Sequence, residues 1–297
     1  MKDPIILNIA GGAGKNIIAS SVVGSIKKAY PDRPIYISSP HQSVWQNNPD
    51  IVEVFNYLEK KDFYAELIVK YPNSLAFFLE PYASEDYFLR RKSLAEIWCD
   101  LCKVSFTDEQ PKLFFTEDEL EATRRLLKVG EKPIFMIQTN GGGQGQAFPI
   151  SWARDLPLPV AEEVCLAMKT KGYEVFQLRR PDQPALANAT MLNLPFRQAM
   201  AAIQFSDKRL FIDSFAQHAA QAFGLKSVIT WVSNPPEVFG YKNNINIISD
   251  VKPLPRHTPE AFLEEYNITG TLEESPYDTD ILFDSKKIIE AILGTDA

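Results

Sequence analysis

The strongest constraint on this chain is an alternation. Short apolar runs bounded by turns recur along it, and stretches of helical periodicity lie between them. Pro4 to Ala10, Pro34 to Ser38, Ile51 to Asn56 and Leu75 to Leu79 read as buried strands. Helical patterns cover Ile17 to Tyr30 and Glu85 to Lys103. Such strands, apolar on both faces, belong to parallel sheets covered by helices on either side. Thr116 to Val129 reads as a helix, acidic in its first turn and basic in its last, which suits the helix dipole.

The pattern then restarts. Strands are expected at Pro133 to Gln138, Tyr173 to Leu178, Leu210 to Asp213 and Ser227 to Val232. Helices are expected at Val160 to Lys171, Pro195 to Phe205 and Phe215 to Phe223. With 297 residues the chain exceeds one usual core. The sequence therefore predicts two α/β domains, 1–130 and 131–255, parting at about 128–132. A tail over 256–297 carries helices at Pro259 to Tyr266 and Asp284 to Leu293.

Bulk properties narrow the function. A net charge of -7 argues against a protein that coats nucleic acid. The opening apolar run, Ile5 to Ala10, is too short for a signal peptide or membrane span, and no run approaches 18 apolar residues. A cytoplasmic protein is expected, so the Asn-x-Thr sites at Asn188 and Asn267 carry no glycosylation meaning. Of three cysteines, Cys99 and Cys102 form a CxxC inside a helical pattern with no second ligand pair. These read as buried structural thiols. No His/Cys/Asp spacing suggests a metal.

Two glycine-rich turns follow strands. In Gly11-Gly12-Ala13-Gly14-Lys15-Asn16 the helix-start N–H groups favour an anion, and Lys15 could add a charge. The spacing is neither a P-loop nor a clean GxGxxG, so a bare strand-to-helix turn is an equal alternative. Asn140-Gly141-Gly142-Gly143-Gln144-Gly145 is richer. Four glycines in six residues cost entropy on ordering, which backbone packing around a diphosphate would offset.

The most informative segment is Leu210-Phe211-Ile212-Asp213-Ser214-Phe215-Ala216-Gln217-His218-Ala219-Ala220, followed by Gly224. A strand ends in Asp-Ser and a helix starts at once. Asp213 and Ser214 can cap it, and His218 lies on the Ser214 face. This pattern resembles the heptosyltransferase-like glycosyltransferases of the two-Rossmann GT-B architecture, whose members carry Asp-Ser-Gly-x-x-His-x-Ala-x-Ala-x-Gly here. The resemblance extends to Asn48-Pro49-Asp50-Ile51-Val52, Ser151-Trp152-Ala153-Arg154 and Gly172-Tyr173-Glu174-Val175. It covers about 230 residues.

That resemblance implies two Rossmann-like domains facing a cleft, with the C-terminal tail crossing back to the first. It implies transfer of a sugar from a nucleotide-diphosphate sugar to a hydroxyl, with no cofactor and no metal. Donor contacts would come from Asn140, Gly141, Gly142, Gly143, Arg154, Asp213, Ser214 and His218. The acceptor would lie near Gly12, Gly14, Asn16 and His41. A surface glycan such as lipopolysaccharide core is the first acceptor class, with peripheral membrane contact; a modified DNA base is the second. A non-catalytic nucleotide-sugar-binding protein is the rival reading.

Two departures stand out. Phe215 replaces the family's glycine. Many relatives also carry an aspartate after the first glycine turn, thought to be the general base, where this chain has Gly14-Lys15-Asn16. Glu80, ending the fourth strand in Leu79-Glu80-Pro81-Tyr82, is the expected substitute, with Glu85 and Asp86 as backups and Lys15 beside it. A solvated loop carboxylate or helix-entry cap is the bland reading of Glu80.

Overall fold

The computed structural model describes residues 3–57, 63–108, 110–142, 154–252, 275 and 277–296. The chain forms two compact units, Met1–Glu117 with Gln221–Phe223, and Asp118–Ala220 with Gly224–Ala297.

The first unit holds a parallel sheet in the order β3-β2-β1-β4. Its strands are β1 Ile5–Asn8, β2 Ile35–Ser39, β3 Glu53–Asn56 and β4 Leu75–Phe77. The register places Leu7 beside both Ile37 and Phe77. Ile5, Ile6 and Leu7 are all buried, as a strand covered on both faces requires. Helix α1, Ala13–Ala29, starts directly after the first glycine turn. It buries Ser20, Ser21 and Ser25, whose hydroxyls bond back to the carbonyls of Ile17, Ile18 and Ser21. Ser20 also accepts the Lys112 amide at 2.7 Å, which fastens Lys112 beside the helix.

The helix expected over Glu85 to Lys103 is two pieces, a turn at Glu85–Phe88 and helix α2, Leu94–Leu101. Arg90 takes a left-handed φ of 53°, and Ser93 starts α2 afresh by accepting the Glu96 amide. A serine at that position is an N-cap, which single-helix periodicity does not reveal.

The second unit holds a parallel sheet in the order β10-β9-β8-β5-β6-β7. The expected strands are there: β5 Ile134–Ile137, β6 Glu174–Leu178, β8 Lys208–Ile212 and β9 Val228–Trp231. Two further edge strands are β7 Thr190–Leu192 and β10 Ile245–Ile248. Helix α3, Glu117–Leu126, belongs mostly to this unit, so the units part ahead of the expected 128–132 boundary. Side chains explain why. Glu119 forms an ion pair with Arg197, and Arg124 lies 5.1 Å from the Phe205 ring. Both partners sit in or just after helix α5, Phe196–Ile203, which follows helix α4, Leu158–Thr170.

Helix α6, Phe215–Ala222, follows β8. The last helix, α7, Ser285–Leu293, starts at an Asp284 cap. Ile288 and Ile292 join Val164, Cys165 and Met168 of α4 in one core with Phe135, Ile137 and Leu210. This last helix packs within the second unit. The expected helix over Pro259 to Tyr266 lies outside the described residues. Among the described residues no helix is long and apolar enough to cross a membrane.

Candidate functional site

In open parallel sheets the loops at the carboxyl ends of the strands carry ligands. The described residues among those predicted for each unit's site gather at that edge of its own sheet.

In the first unit β1, β2 and β4 deliver three loops. After β1 comes the turn at Gly11 and Gly12. Gly11 has φ +94°, and a Cβ there would sit 3.1 Å from Lys15 Cδ, so both its backbone and its packing call for glycine. Gly12 opens onto free space and starts α1 with no side-chain cap; Gly14 lies in the first helical turn. Lys15 Nζ reaches 2.6 Å from each oxygen of Glu80, past the end of β4. The pair is lopsided: the Lys15 side chain is 4% exposed and that of Glu80 47%. The ammonium also lies 4.5 Å from the Tyr82 ring and 5.4 Å from Trp98, within cation–π range. Glu80 further accepts the Tyr82 amide at 3.2 Å, so the helix-entry cap and the ion pair are one carboxylate's two tasks.

Asn16 is fully buried. Its Nδ2 donates to the Gly12 carbonyl at 3.0 Å and the Gly11 carbonyl at 3.4 Å. Its Oδ1 accepts from the Ser39 hydroxyl at 2.6 Å and the Trp45 indole at 3.3 Å. The amide holds the turn against the end of β2. His41 sits on the same edge, its amide bonded to Ser39 Oγ at 2.9 Å. Burial lowers its pKa, and a hydrogen bond to the Gly11 backbone opposes this.

In the second unit the glycine turn follows β5. Asn140, Gly141 and Gly142 are described; Gly143 and the Ser151-Trp152-Ala153 segment lie outside the described residues. Asp155, which no motif singles out, clamps the turn. Its carboxylate accepts the Gly141 amide and the Asn140 side chain, each at 2.9 Å. Gln183 donates to the Gly141 carbonyl at 2.8 Å, and Arg180 to the Gly142 carbonyl at 2.6 Å. Arg154 passes so close over Gly141 that a Cβ would lie 2.7 Å from its Nε.

Asp213 and Ser214 follow β8. The Asp213 carboxylate is buried and engaged at both oxygens, by Gln217 at 2.9 Å and by Asn234 at 2.6 Å. Ser214 donates to Gln138 Oε1 and takes the Ala216 amide at 3.4 Å. His218 is 3% exposed, with Nδ1 2.8 Å from the Tyr241 hydroxyl. Its Nε2 lies 3.9 Å from Asp213. Burial lowers its pKa to about 4, with Asp213 opposing, so the ring is neutral at pH 7. A hidden neutral imidazole supplies no charge to a phosphate. In this structure the ring's Nδ1 is paired internally, with Tyr241. Phe215, standing where the resemblance expects glycine, packs edge-on against Phe196 at 5.0 Å.

Cys99, Cys102 and Cys165 are buried and free. Burial pushes their thiols up to about 11, 12 and 12, away from thiolate chemistry. Among the described residues no group of three or more His, Cys, Asp or Glu could hold a metal ion.

By sequence, no family model and no curated protein matches the chain. Solved structures do match. The glycosyl transferase family 9 structure from Veillonella parvula DSM 2008 aligns over 99% of this chain and 97% of its own, at TM-score 0.68 and 13% identity. The E. coli ADP-heptose lps heptosyltransferase II aligns over 90% and 98%, at TM-score 0.60 and 15% identity. E. coli heptosyltransferase WaaC with ADP aligns over 83% and 93%, at TM-score 0.54 and 8% identity. With two parallel sheets, helices on their faces, and these neighbours over nearly its whole length, the chain has the heptosyltransferase-like GT-B fold.

Proposed function

We propose that this protein is a glycosyltransferase that moves a sugar from a nucleotide-diphosphate sugar to a hydroxyl acceptor. The observation that carries the reading is the second unit's sheet edge. There a clamped glycine turn and the start of helix α6 lie on adjacent strands β5 and β8. Helix N–H groups and a close backbone suit a diphosphate. Arg154, lying over Gly141, supplies a cation beside the turn. Solved neighbours of this fold were crystallised with ADP and with ADP-D-beta-D-heptose. Adenosine diphosphate sugars are therefore the first donors to try.

In the first unit Glu80 is the general base. It takes the acceptor hydroxyl proton as the oxygen attacks the anomeric carbon and the bond to the diphosphate breaks. Its partly exposed carboxylate is reachable, while buried Lys15 fixes its position. Gly12 and His41 frame the acceptor; Asn16 holds the turn beneath it. We read the acceptor as a glycan hydroxyl and the transfer as independent of metal, with helix N–H groups and Arg154 meeting the leaving charge. Activity retained in excess EDTA tests the latter.

A thermal-shift panel of ADP-, GDP-, UDP- and CMP-linked sugars tests the whole reading. A ligand at 100 times its Kd stabilises by about 2.7 kcal/mol. One nucleotide class should raise Tm clearly. No shift with any of them sinks the proposal.

A further inference from the structure

We propose that Gln138 is a positioning residue that joins the two donor-binding segments into one preformed cradle. The inference rests on the donor reading above. Gln138 is the first residue past β5 and is 6% exposed. Its backbone amide bonds to the Leu210 carbonyl of β8 at 3.1 Å, so it already sits between the two strands that carry the segments. Its side chain repeats the bridge. Nε2 donates to the Asn140 carbonyl in the glycine turn at 3.3 Å, and Oε1 accepts the Ser214 hydroxyl at the start of α6.

The amide can serve only in this orientation. Reversed, its oxygen would face the Asn140 carbonyl, acceptor against acceptor. Ser214 must therefore give its one proton to Gln138. The hydroxyl then meets the helix start only as an acceptor, as its contact with the Ala216 amide shows. Ser214 thus acts on a donor through placement of the helix start, and its proton is not available to a phosphate oxygen.

The bridge is the middle of a longer line of polar contacts, buried except at part-buried Ser214. On one side Gln177 of β6 donates to Thr139 at 3.2 Å, Thr139 to Asn140 at 2.8 Å, and Asn140 to Asp155. On the other, Asp213 next to Ser214 accepts from Asn234, past β9. Buried polar chains that are fully paired rigidify what they connect. This line spans the ends of β6, β5, β8 and β9, and Gln138 is where its two halves meet.

The test uses the full-length protein with Ser214→Ala, Gln138→Met and the double variant. Amide exchange at Gly141 and Gly142, followed by NMR without ligand, reads the coupling itself. ADP, GDP, UDP and CMP titrations read its effect on binding. Ser214→Ala should speed exchange in the glycine turn about tenfold, and should add little once Gln138 is already methionine. Nucleotide affinity should fall about tenfold in each single variant and no further in the double. Turn amides indifferent to Ser214→Ala, or affinity losses that simply multiply, would overturn the bridge whatever binds. Coupled turn amides in a protein that binds none of the four nucleotides would instead overturn the donor reading, and Gln138's role in it.

Discussion

The buried ammonium of Lys15 lies 2.6 Å from both carboxylate oxygens of Glu80, a residue 65 positions further along the chain. Strands β1 and β4 are parallel neighbours, so their C-terminal loops meet at one edge, which is what brings the two together. If Glu80 is the general base, Glu80→Gln should lower transfer by about 10²- to 10⁴-fold. Nucleotide affinity, measured separately by calorimetry, should be unchanged, because the proposed donor site belongs to the other unit. Full turnover in Glu80→Gln would remove the carboxylate from the chemistry.

Lys15 makes a prediction of another kind. Lys15→Met removes a buried cation and leaves Glu80, which water can reach. Glu80→Met leaves the cation buried with its carboxylate gone, the costlier change. Chemical denaturation should rank Glu80→Met as the less stable of the two.

Asn16→Ala should cost about 3 kcal/mol, because it strands the buried Ser39 hydroxyl and Trp45 indole and frees two turn carbonyls. Equilibrium unfolding and a Tm lowered by several degrees would register it. Asn16→Asp should fare badly too, since a carboxylate cannot donate to Gly11 and Gly12.

His218 sets an acid limit. Its folded pKa, about 4, lies below the ordinary value of 6.5. Between those values the unfolded chain binds a proton that the folded one excludes. Stability from this group is complete above pH 6.5 and is lost as pH falls from there toward 4, up to about 3 kcal/mol in all. Denaturation at pH 7 and pH 4.5 should therefore differ less in His218→Gln than in the parent.

Thiol chemistry offers an inexpensive check on the core. A disulfide reagent at pH 8 should leave the native protein unmodified and titrate all three cysteines after denaturation.

The fold was legible wherever burial left a mark on single segments. Strand β5, all four residues apolar and buried, is plain from sequence, as is β8 ahead of its Asp-Ser turn. Strand β7 is three residues with only Leu192 buried, and β10 exposes every second residue at the sheet margin, so neither leaves an apolar run. The break after Phe88 was hidden because Arg90 and Ser93 act through backbone geometry, not hydropathy.

The candidate site was legible in a similar way. Glycine turns and strand ends marked Gly11, Lys15, Glu80, Asn140 and Ser214. Asp155, Gln138, Asn234 and Tyr241 were not marked, since each gains its meaning from a partner 15 to 76 positions away. The motif and helical spacing point to His218 as a ligand contact, and the first glycine turn points to Asn16. Their internal partners, Tyr241 for one and Ser39 and Trp45 for the other, leave no mark in the sequence.

Calorimetric titration of ADP, GDP, UDP and CMP onto the parent protein and onto Ser214→Asp tests the donor site most directly. A carboxylate at the start of α6 would occupy the place and charge of a phosphate. One nucleotide should bind the parent saturably at one site per chain, and at least about tenfold more weakly to the folded variant. No binding to the parent, or equal affinity in the two proteins, would contradict a diphosphate held at that helix start.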